Sequence, residues 1–106
     1  MFELNTRFCK EKDCYFKVKK LGKKPYDVRV DIMSETSGPM MTVNVSSPCA
    51  NFPKELAIKS YSENEGLYEE LLRLGFINPA KSFIHSGYAI LQVCDLNYDK
   101  MEEHIY

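Results

Sequence analysis

The sequence has no long apolar run and no leader-like start. No stretch of its 106 residues approaches the roughly eighteen consecutive apolar residues that a membrane-spanning helix needs. The opening residues, MFELNTRFCKEKD, show no basic flank followed by an apolar core and a small-residue cleavage site, so they predict no secretory signal. We therefore expect a cytoplasmic protein with no membrane contact.

The motifs of the common catalytic classes are also missing. There is no Walker loop for phosphate, no GxGxxG turn after a strand and no HExxH pair. Histidine occurs at His85 and His104, and neither lies in a recognisable nucleophile motif. Because acid, base and nucleophile candidates do not converge on a known arrangement, the sequence predicts a protein that is not an enzyme and needs no cofactor.

The four cysteines give only a weak metal signal. Cys9 and Cys14 lie at the loose end of zinc-like spacing, but a second close pair would have to be assembled from distant residues, such as Cys49 and Cys94. Cys94 falls within an apolar segment, where a cysteine behaves as a small hydrophobic residue. We expect four free thiols and no metal site.

Net charge is close to zero, but the charge is unevenly distributed. The chain holds 14 basic and 15 acidic residues, which disfavours both a histone-like binder and an acidic mimic of DNA. Residues 1–30 hold nine Lys or Arg against four Asp or Glu, whereas residues 31–106 hold five against eleven. The sequence thus predicts a dipolar domain that is basic at one sheet edge and acidic across its helix side.

Apolar and polar residues alternate in several segments, which is the period of a strand. The clearest is Tyr26–Ser34, YDVRVDIMS, and Met41–Ser46 repeats the pattern after a Gly-Pro turn. A third predicted strand lies upstream and ends before Leu21, and Glu55–Tyr61 is predicted to form a fourth strand. Tyr88–Asp95 is apolar on both faces, as expected of a central strand.

One amphipathic helix is predicted between the last two of these strands. Ser62–Glu65 has the spacing of a capping box at its start, and Gly75 provides a stop signal. A stripe of leucines would pack on the sheet, which places Glu69, Glu70 and Arg73 on the solvent side.

The sequence therefore predicts a single α+β domain over residues 1–106. The order β-β-β-β-α-β gives one curved, antiparallel-rich sheet of about five strands, packed on one main helix. The terminal segments 1–8 and 97–106 are predicted to be prone to fraying.

A lysine-rich segment follows Tyr15 and Phe16 on a strand that is predicted to lie at a sheet edge. Such an edge could attract phosphate and stack on bases, or it could bind an acidic protein surface. Exposed lysines are also typical of an edge that resists aggregation and binds nothing. Arginine, which forks to phosphates and base edges, is absent from the lysine cluster itself. The candidate contact residues are Lys17, Lys19, Lys20, Lys23, Lys24 and Arg29.

Several segments occur in an order that resembles a known family. They are TRF at Thr6–Phe8, the alternating YDVRVDI, the strand MMTVNVSS, the block LAIKSYSENEGLYEELLRLGFI and the His85–Tyr88 start of the last strand. Over residues 6–96 they are similar to an uncharacterised family of small proteins, a domain of unknown function, found on conjugative elements and phages of gut bacteria. The resemblance implies a setting and no activity.

Three functions are compatible with these patterns. The leading hypothesis is a small non-enzymatic binding protein of a phage or mobile element, which acts through contact with a protein or a protein–nucleic acid complex and would inhibit a host defence complex, as an anti-CRISPR does. The alternative is an accessory protein that binds nucleic acid directly through the lysine-rich first hairpin. A structural or self-associating subunit, for example a homodimer, is the third.

Overall fold

Alternating apolar and polar residues form seven strands, and two short α-helices complete the chain. The computed structural model describes every residue, Met1–Tyr106. The strands are β1 (Phe2–Asn5), β2 (Lys10–Lys20), β3 (Val28–Ser34), β4 (Gly38–Thr42), β5 (Glu55–Ile58), β6 (Ser82–Ser86) and β7 (Ala89–Asp95). The helices are α1 (Leu67–Leu74) and α2 (Tyr98–Glu102), and a single 3-10 turn, Ser62–Asn64, precedes α1. Neither α-helix has the length and apolar character needed to cross a membrane.

The strands lie in two antiparallel sheets that are joined by main-chain hydrogen bonds. The first sheet has the order β1-β2-β3-β4 and the second the order β5-β7-β6. Between them, Val43 N–H donates to the Val30 carbonyl at 2.7 Å and Val45 N–H donates to the Ala57 carbonyl at 3.1 Å. The α+β class with antiparallel pairing is confirmed. The strands number seven in two joined sheets, rather than about five in one, because β1 and β6 are additional.

Glycines bound α1 at both ends. Gly66 precedes the helix with φ 93° and Gly75 follows it with φ 81°, and both values lie in the left-handed region that favours glycine. Gly75 N–H donates to the Leu72 carbonyl and Phe76 N–H to the Leu71 carbonyl, both at 3.0 Å. This pair of bonds is a Schellman motif, so the predicted stop at Gly75 is confirmed.

The predicted capping box does not form. Ser62 begins the separate 3-10 turn, with a positive φ of 57°, and the residue that precedes α1 supplies no side-chain cap. The hydroxyl of Ser60, rather than that of Ser62, accepts a hydrogen bond from Tyr68 N–H in the first turn of the helix, at 2.9 Å. The carboxylate of Glu65 is paired instead with Arg7, at 2.8 Å, and so connects the start of α1 to the loop after β1. The helix therefore begins later than the spacing of Ser62 and Glu65 predicts.

Side chains from both sheets and from α1 meet in one main core. Its centre is aromatic, and five pairs of rings within it have centroids 4.9–5.6 Å apart. These rings belong to Phe2, Phe16, Phe76 and His104. A smaller apolar cluster comprises Ala50, Ala57, Leu91 and Val93. Because β5 and β7 contribute residues to both clusters, the second sheet is covered on both of its faces over this part.

Both ends of the chain are part of the fold. In β1, Phe2 and Leu4 are buried and the strand pairs with β2. At the other end, Phe16 N–H donates to the His104 carbonyl at 2.7 Å, and Tyr106 N–H donates to the Phe16 carbonyl at 3.2 Å. Both ends thus supply core side chains and strand pairing, and the fraying of segments 1–8 and 97–106 stays a prediction.

Glu70 is buried, although the helical pattern predicts it on the solvent side. Its side chain is 5% exposed, and its carboxylate accepts hydrogen bonds from Asn5 N–H and from Arg73 Nε, both at 2.7 Å. Arg73 and Glu69 remain exposed, as predicted. The position is buried because β1, which the sequence did not reveal, packs beside α1.

Candidate lysine cleft

The six predicted contact residues are all exposed, and they form two groups rather than one. The first group, Lys17, Lys19 and Arg29, shares the outer face of the first sheet, because alternate strand residues lie on one face and Lys19 is directly opposite Arg29. The Arg29 guanidinium is bound to Asp31, with Nε 2.9 Å from Oδ2. Lys17 and Lys19 therefore carry the free positive charge of this face.

The second group lines a cleft at the end of β2. Lys20, Lys23 and Lys24 lie around this cleft, which has a volume of about 320 Å³. Two aromatic side chains, Phe52 and Tyr98, form another part of the wall, with ring centroids 5.6 Å apart and ring planes at 85°. We call these five residues the lysine cleft.

Main-chain hydrogen bonds hold the β2–β3 loop beside the aromatic residues. Leu21 N–H donates to the Asp27 carbonyl at 2.8 Å, and Asp27 N–H donates to the Lys24 carbonyl at 3.0 Å, so the loop closes on itself. Phe52 N–H then donates to the Pro25 carbonyl at 3.3 Å. This bond fixes the segment that carries Phe52 against the loop that carries the lysines.

The short helix α2 brings Tyr98 to the cleft from the other end of the chain. Asn97 N–H donates to the Phe76 carbonyl at 2.9 Å, and Met101 of α2 is buried in the core, so the helix is docked. Phe52 and Tyr98 are both half-buried. Each ring is thus held by packing while part of it still lines the cleft.

Strand β2 is an edge strand over only part of its length. β1 pairs with it from Lys10 to Cys14, β3 pairs along its other side, and the last residues of the chain bond to Phe16. Main-chain N–H and C=O groups alternate in direction along a strand, so those of Val18 and Lys20 point to the same side of β2 as those of Phe16. Beyond Phe16, no other strand pairs with β2 on that side. The predicted lysine-rich edge strand is therefore corrected to a short open edge beside the cleft.

None of the five candidate lysines takes part in an ion pair. Elsewhere, Lys59 and Lys81 each bind a carboxylate at 2.8 Å. The positive charge of the cleft and of the neighbouring sheet face is therefore not neutralised within the protein, and it remains free to attract an anionic partner.

The other candidate chemistries do not come together at a site. The four cysteines are free, and burial raises the pKa of Cys14 to about 11 and that of Cys94 to about 12. No group of three or more metal-ligating side chains is present. His85 is exposed on β6, whereas His104 packs among the core aromatics. A cavity in the core has a volume of only about 10 Å³, which is too small for a ligand.

Sequence reasoning missed both aromatic residues of the cleft. Phe52 lies in a turn between two prolines, and Tyr98 lies in a segment that was predicted to fray. No spacing pattern connects them to each other or to the lysines, because they are brought together only by the docking of α2 and of the β2–β3 loop.

Comparisons of the chain with protein-family models, with curated proteins and with solved structures find no match.

Proposed function

We propose that the protein is a non-enzymatic binding protein of a phage or mobile element, and that it binds single-stranded nucleic acid in the lysine cleft. The observation that carries this proposal is the position of three unpaired lysines beside two half-buried aromatic rings. Lysines neutralise phosphates, and an aromatic ring provides a surface on which a base stacks.

The aromatic rings favour nucleic acid over an acidic protein surface. Carboxylates of a protein partner would be attracted by the lysines but would make no use of Phe52 and Tyr98. The cleft contains no arginine, the residue that best forks to base edges, so we expect binding that depends little on base sequence. Lys17 and Lys19 on the adjoining face extend the positive surface along which a phosphate backbone could run.

This activity fits two of the roles predicted from the sequence. An accessory protein would bind the single strands of its own element. An inhibitor of a host defence complex would bind the nucleic acid that the complex carries or exposes, and so would act in the cytoplasm without catalysis. In both roles the contact surface is the lysine cleft, so a single binding experiment tests it.

The test is fluorescence anisotropy of a labelled single-stranded oligonucleotide of about 12 nucleotides, within the usual range of site sizes. The variant Lys20→Gln/Lys23→Gln removes two charges at the cleft. The control variant Lys10→Gln/Lys12→Gln removes two exposed charges from the other end of β2. At about 3.3 Å per residue these lysines lie roughly 30 Å from Lys20, which is beyond the Debye length.

We expect binding that weakens with salt, with a slope of the log–log plot near −2 if three lysines contact phosphates at about −0.7 each. The cleft variant should lower both the affinity and the slope, and the control variant should change neither. Tyr98→Leu, which keeps an apolar side chain, should weaken binding by about 5- to 150-fold, the equivalent of losing one stacked base.

The proposal is wrong if the oligonucleotide does not bind at low salt, or if the control variant weakens binding as much as the cleft variant does. Poly-L-glutamate serves as the probe for an acidic protein. If it binds with the same lysine dependence while the oligonucleotide does not, the cleft is a site for a protein partner instead.

A further inference from the structure

Strand β6 forms an open edge of the second sheet. It pairs only with β7, and four of its five residues are exposed. A two-residue turn, Gly87–Tyr88, connects the two strands, and such a turn closes on a hydrogen-bonded pair. The main-chain groups of Phe83 and His85 are therefore directed away from β7, toward the open side.

The other sheet edges are protected, and β6 is not. β4 contains Pro39, and its Thr42 carbonyl accepts a hydrogen bond from Asn64 Nδ2 at 2.6 Å. β1 is covered where Asn5 N–H donates to Glu70, and the open part of β2 carries lysines. The sequence of β6, SFIHS, contains neither a proline nor a lysine, arginine, aspartate or glutamate.

The nearest charge to β6 is turned inward. The Lys81 ammonium group, immediately before the strand, binds the carboxylate of Asp95 at the end of β7 and that of Glu55 on β5, beyond β7. Two β6 strands can therefore approach each other without bringing like charges together, and the near-zero net charge of the chain removes long-range repulsion between copies.

Apolar side chains are exposed on one face of the same hairpin. Phe83 is 61% exposed and Ile90 is 46% exposed, and the strand register places both on the face that continues into the main core through Cys94. Tyr88 at the turn is fully exposed as well. The face of the second sheet that packs on the main core is therefore left uncovered at Phe83 and Ile90.

We propose that two copies of the chain associate through β6, in antiparallel orientation, about a two-fold axis beside Ile84. This register sets Phe83 of one protomer opposite His85 of the other, so the outward main-chain groups of both residues form hydrogen bonds across the axis. The two three-stranded sheets become one continuous sheet, and the two Phe83–Ile90 patches adjoin. The contact shares no residue with the lysine cleft and does not depend on its function.

The contact is short, and its size sets the expected affinity. Five residues of strand and a few apolar side chains bury less than the roughly 1,200 Å² of total surface that is usual for stable complexes. We therefore expect a dimer that dissociates in the micromolar range and whose population falls visibly over a hundredfold dilution.

Sedimentation velocity over that dilution series tests the proposal, with circular dichroism to verify that each variant is folded. Phe83→Lys/His85→Lys sets two lysines opposite each other at both ends of the contact, and it should give a monomer at every concentration. The matched control, Phe8→Lys/Leu21→Lys, replaces two exposed apolar residues elsewhere and should still dimerise.

A third variant tests the register. Phe83→Glu/His85→Lys sets opposite charges across the axis, so it should restore the dimer, with a stability that decreases as salt is added. The proposal is overturned if the wild type is monomeric throughout, if the two-lysine variant dimerises like the wild type, or if the control variant dissociates to the same extent. If the two-lysine variant is monomeric and Phe83→Glu/His85→Lys does not dimerise either, the proposed register is wrong.

Discussion

Replacing Glu70 by alanine tests whether a buried carboxylate ties α1 to β1. Glu70 Oε2 accepts a hydrogen bond from Asn5 N–H at 2.7 Å, and the two carboxylate oxygens accept hydrogen bonds from Arg73 at 2.7 and 2.8 Å. Glu70→Ala leaves the β1 amide and the arginine without this acceptor. We therefore expect the variant to fold with reduced stability.

The expected loss in the free energy of unfolding is about 2 kcal/mol. A hydrogen bond to a charged group contributes about 1.5–3 kcal/mol, and the lower part of this range applies because Asn5 is exposed. The pair with Arg73 adds little to this, since that side chain is 62% exposed and solvent screens its charge. For a domain of this size, 2 kcal/mol corresponds to a fall in Tm of about 8–16 °C.

Urea unfolding followed by circular dichroism measures this loss, with Arg73→Ala as the matched control. That variant removes the ion pair but keeps the hydrogen bond from Asn5, so it should lower the urea midpoint by less than Glu70→Ala does. If Glu70→Ala unfolds at the wild-type urea midpoint, the carboxylate does not tie α1 to β1. If Arg73→Ala costs as much as Glu70→Ala, the ion pair is the stabilising contact instead.

The same contact predicts a dependence of stability on pH. Hydrogen bonds from Arg73 and from Asn5 hold the pKa of Glu70 below its ordinary value of 4.5, although burial opposes them. Because the pKa is lowered in the folded state, the stabilisation is complete above pH 4.5 and is lost as the pH falls through the folded pKa. The stability difference between the wild type and Glu70→Gln should shrink over that range.

Two further predictions follow from burial. Cys49 is the exposed cysteine, while burial raises the pKa of Cys9, Cys14 and Cys94, so iodoacetamide at about pH 8 should label Cys49 first, as read by mass spectrometry of peptides. Rapid labelling of either core thiol in the folded protein would contradict the packing. Burial lowers the pKa of His104 from 6.5, so stability should fall as the pH drops below 6.5. In His104→Phe this dependence should flatten, and an unchanged pH profile would show that the ring is not buried in solution.

Apolar and polar periodicity predicted those strands and helices in which one period, of a strand or of a helix, repeats over several residues. The alternation in Tyr26–Ser34 became β3, and the leucine stripe before Gly75 became α1. The predicted strand from Met41 was only partly right, because β4 ends at Thr42 and the following residues join the two sheets. The hydrophobic period of a segment indicates which of its faces is buried. It does not indicate at which residue a strand stops pairing with one neighbour and starts pairing with another.

The missed elements are short and depend on their partners. β1 has four residues and β6 has five, too few for alternation to stand out. Both are strands because a neighbour supplies the hydrogen bonds, β2 for the first and β7 for the second. The capping-box spacing at Ser62 was misleading for a related reason, since Arg7 from another part of the chain pairs with Glu65.

By itself, the sequence determined the α+β class and the concentration of positive charge in the first thirty residues, and it predicted six basic residues as candidate partner contacts. These properties depend on residue type and on spacing along the chain. Only the tertiary structure decided that the six residues form two groups, that Phe52 and Tyr98 stand beside three of the lysines, and that β6 is the unprotected edge. The physical reason is that these features arise where segments distant in sequence pack together, and no local period encodes such contacts.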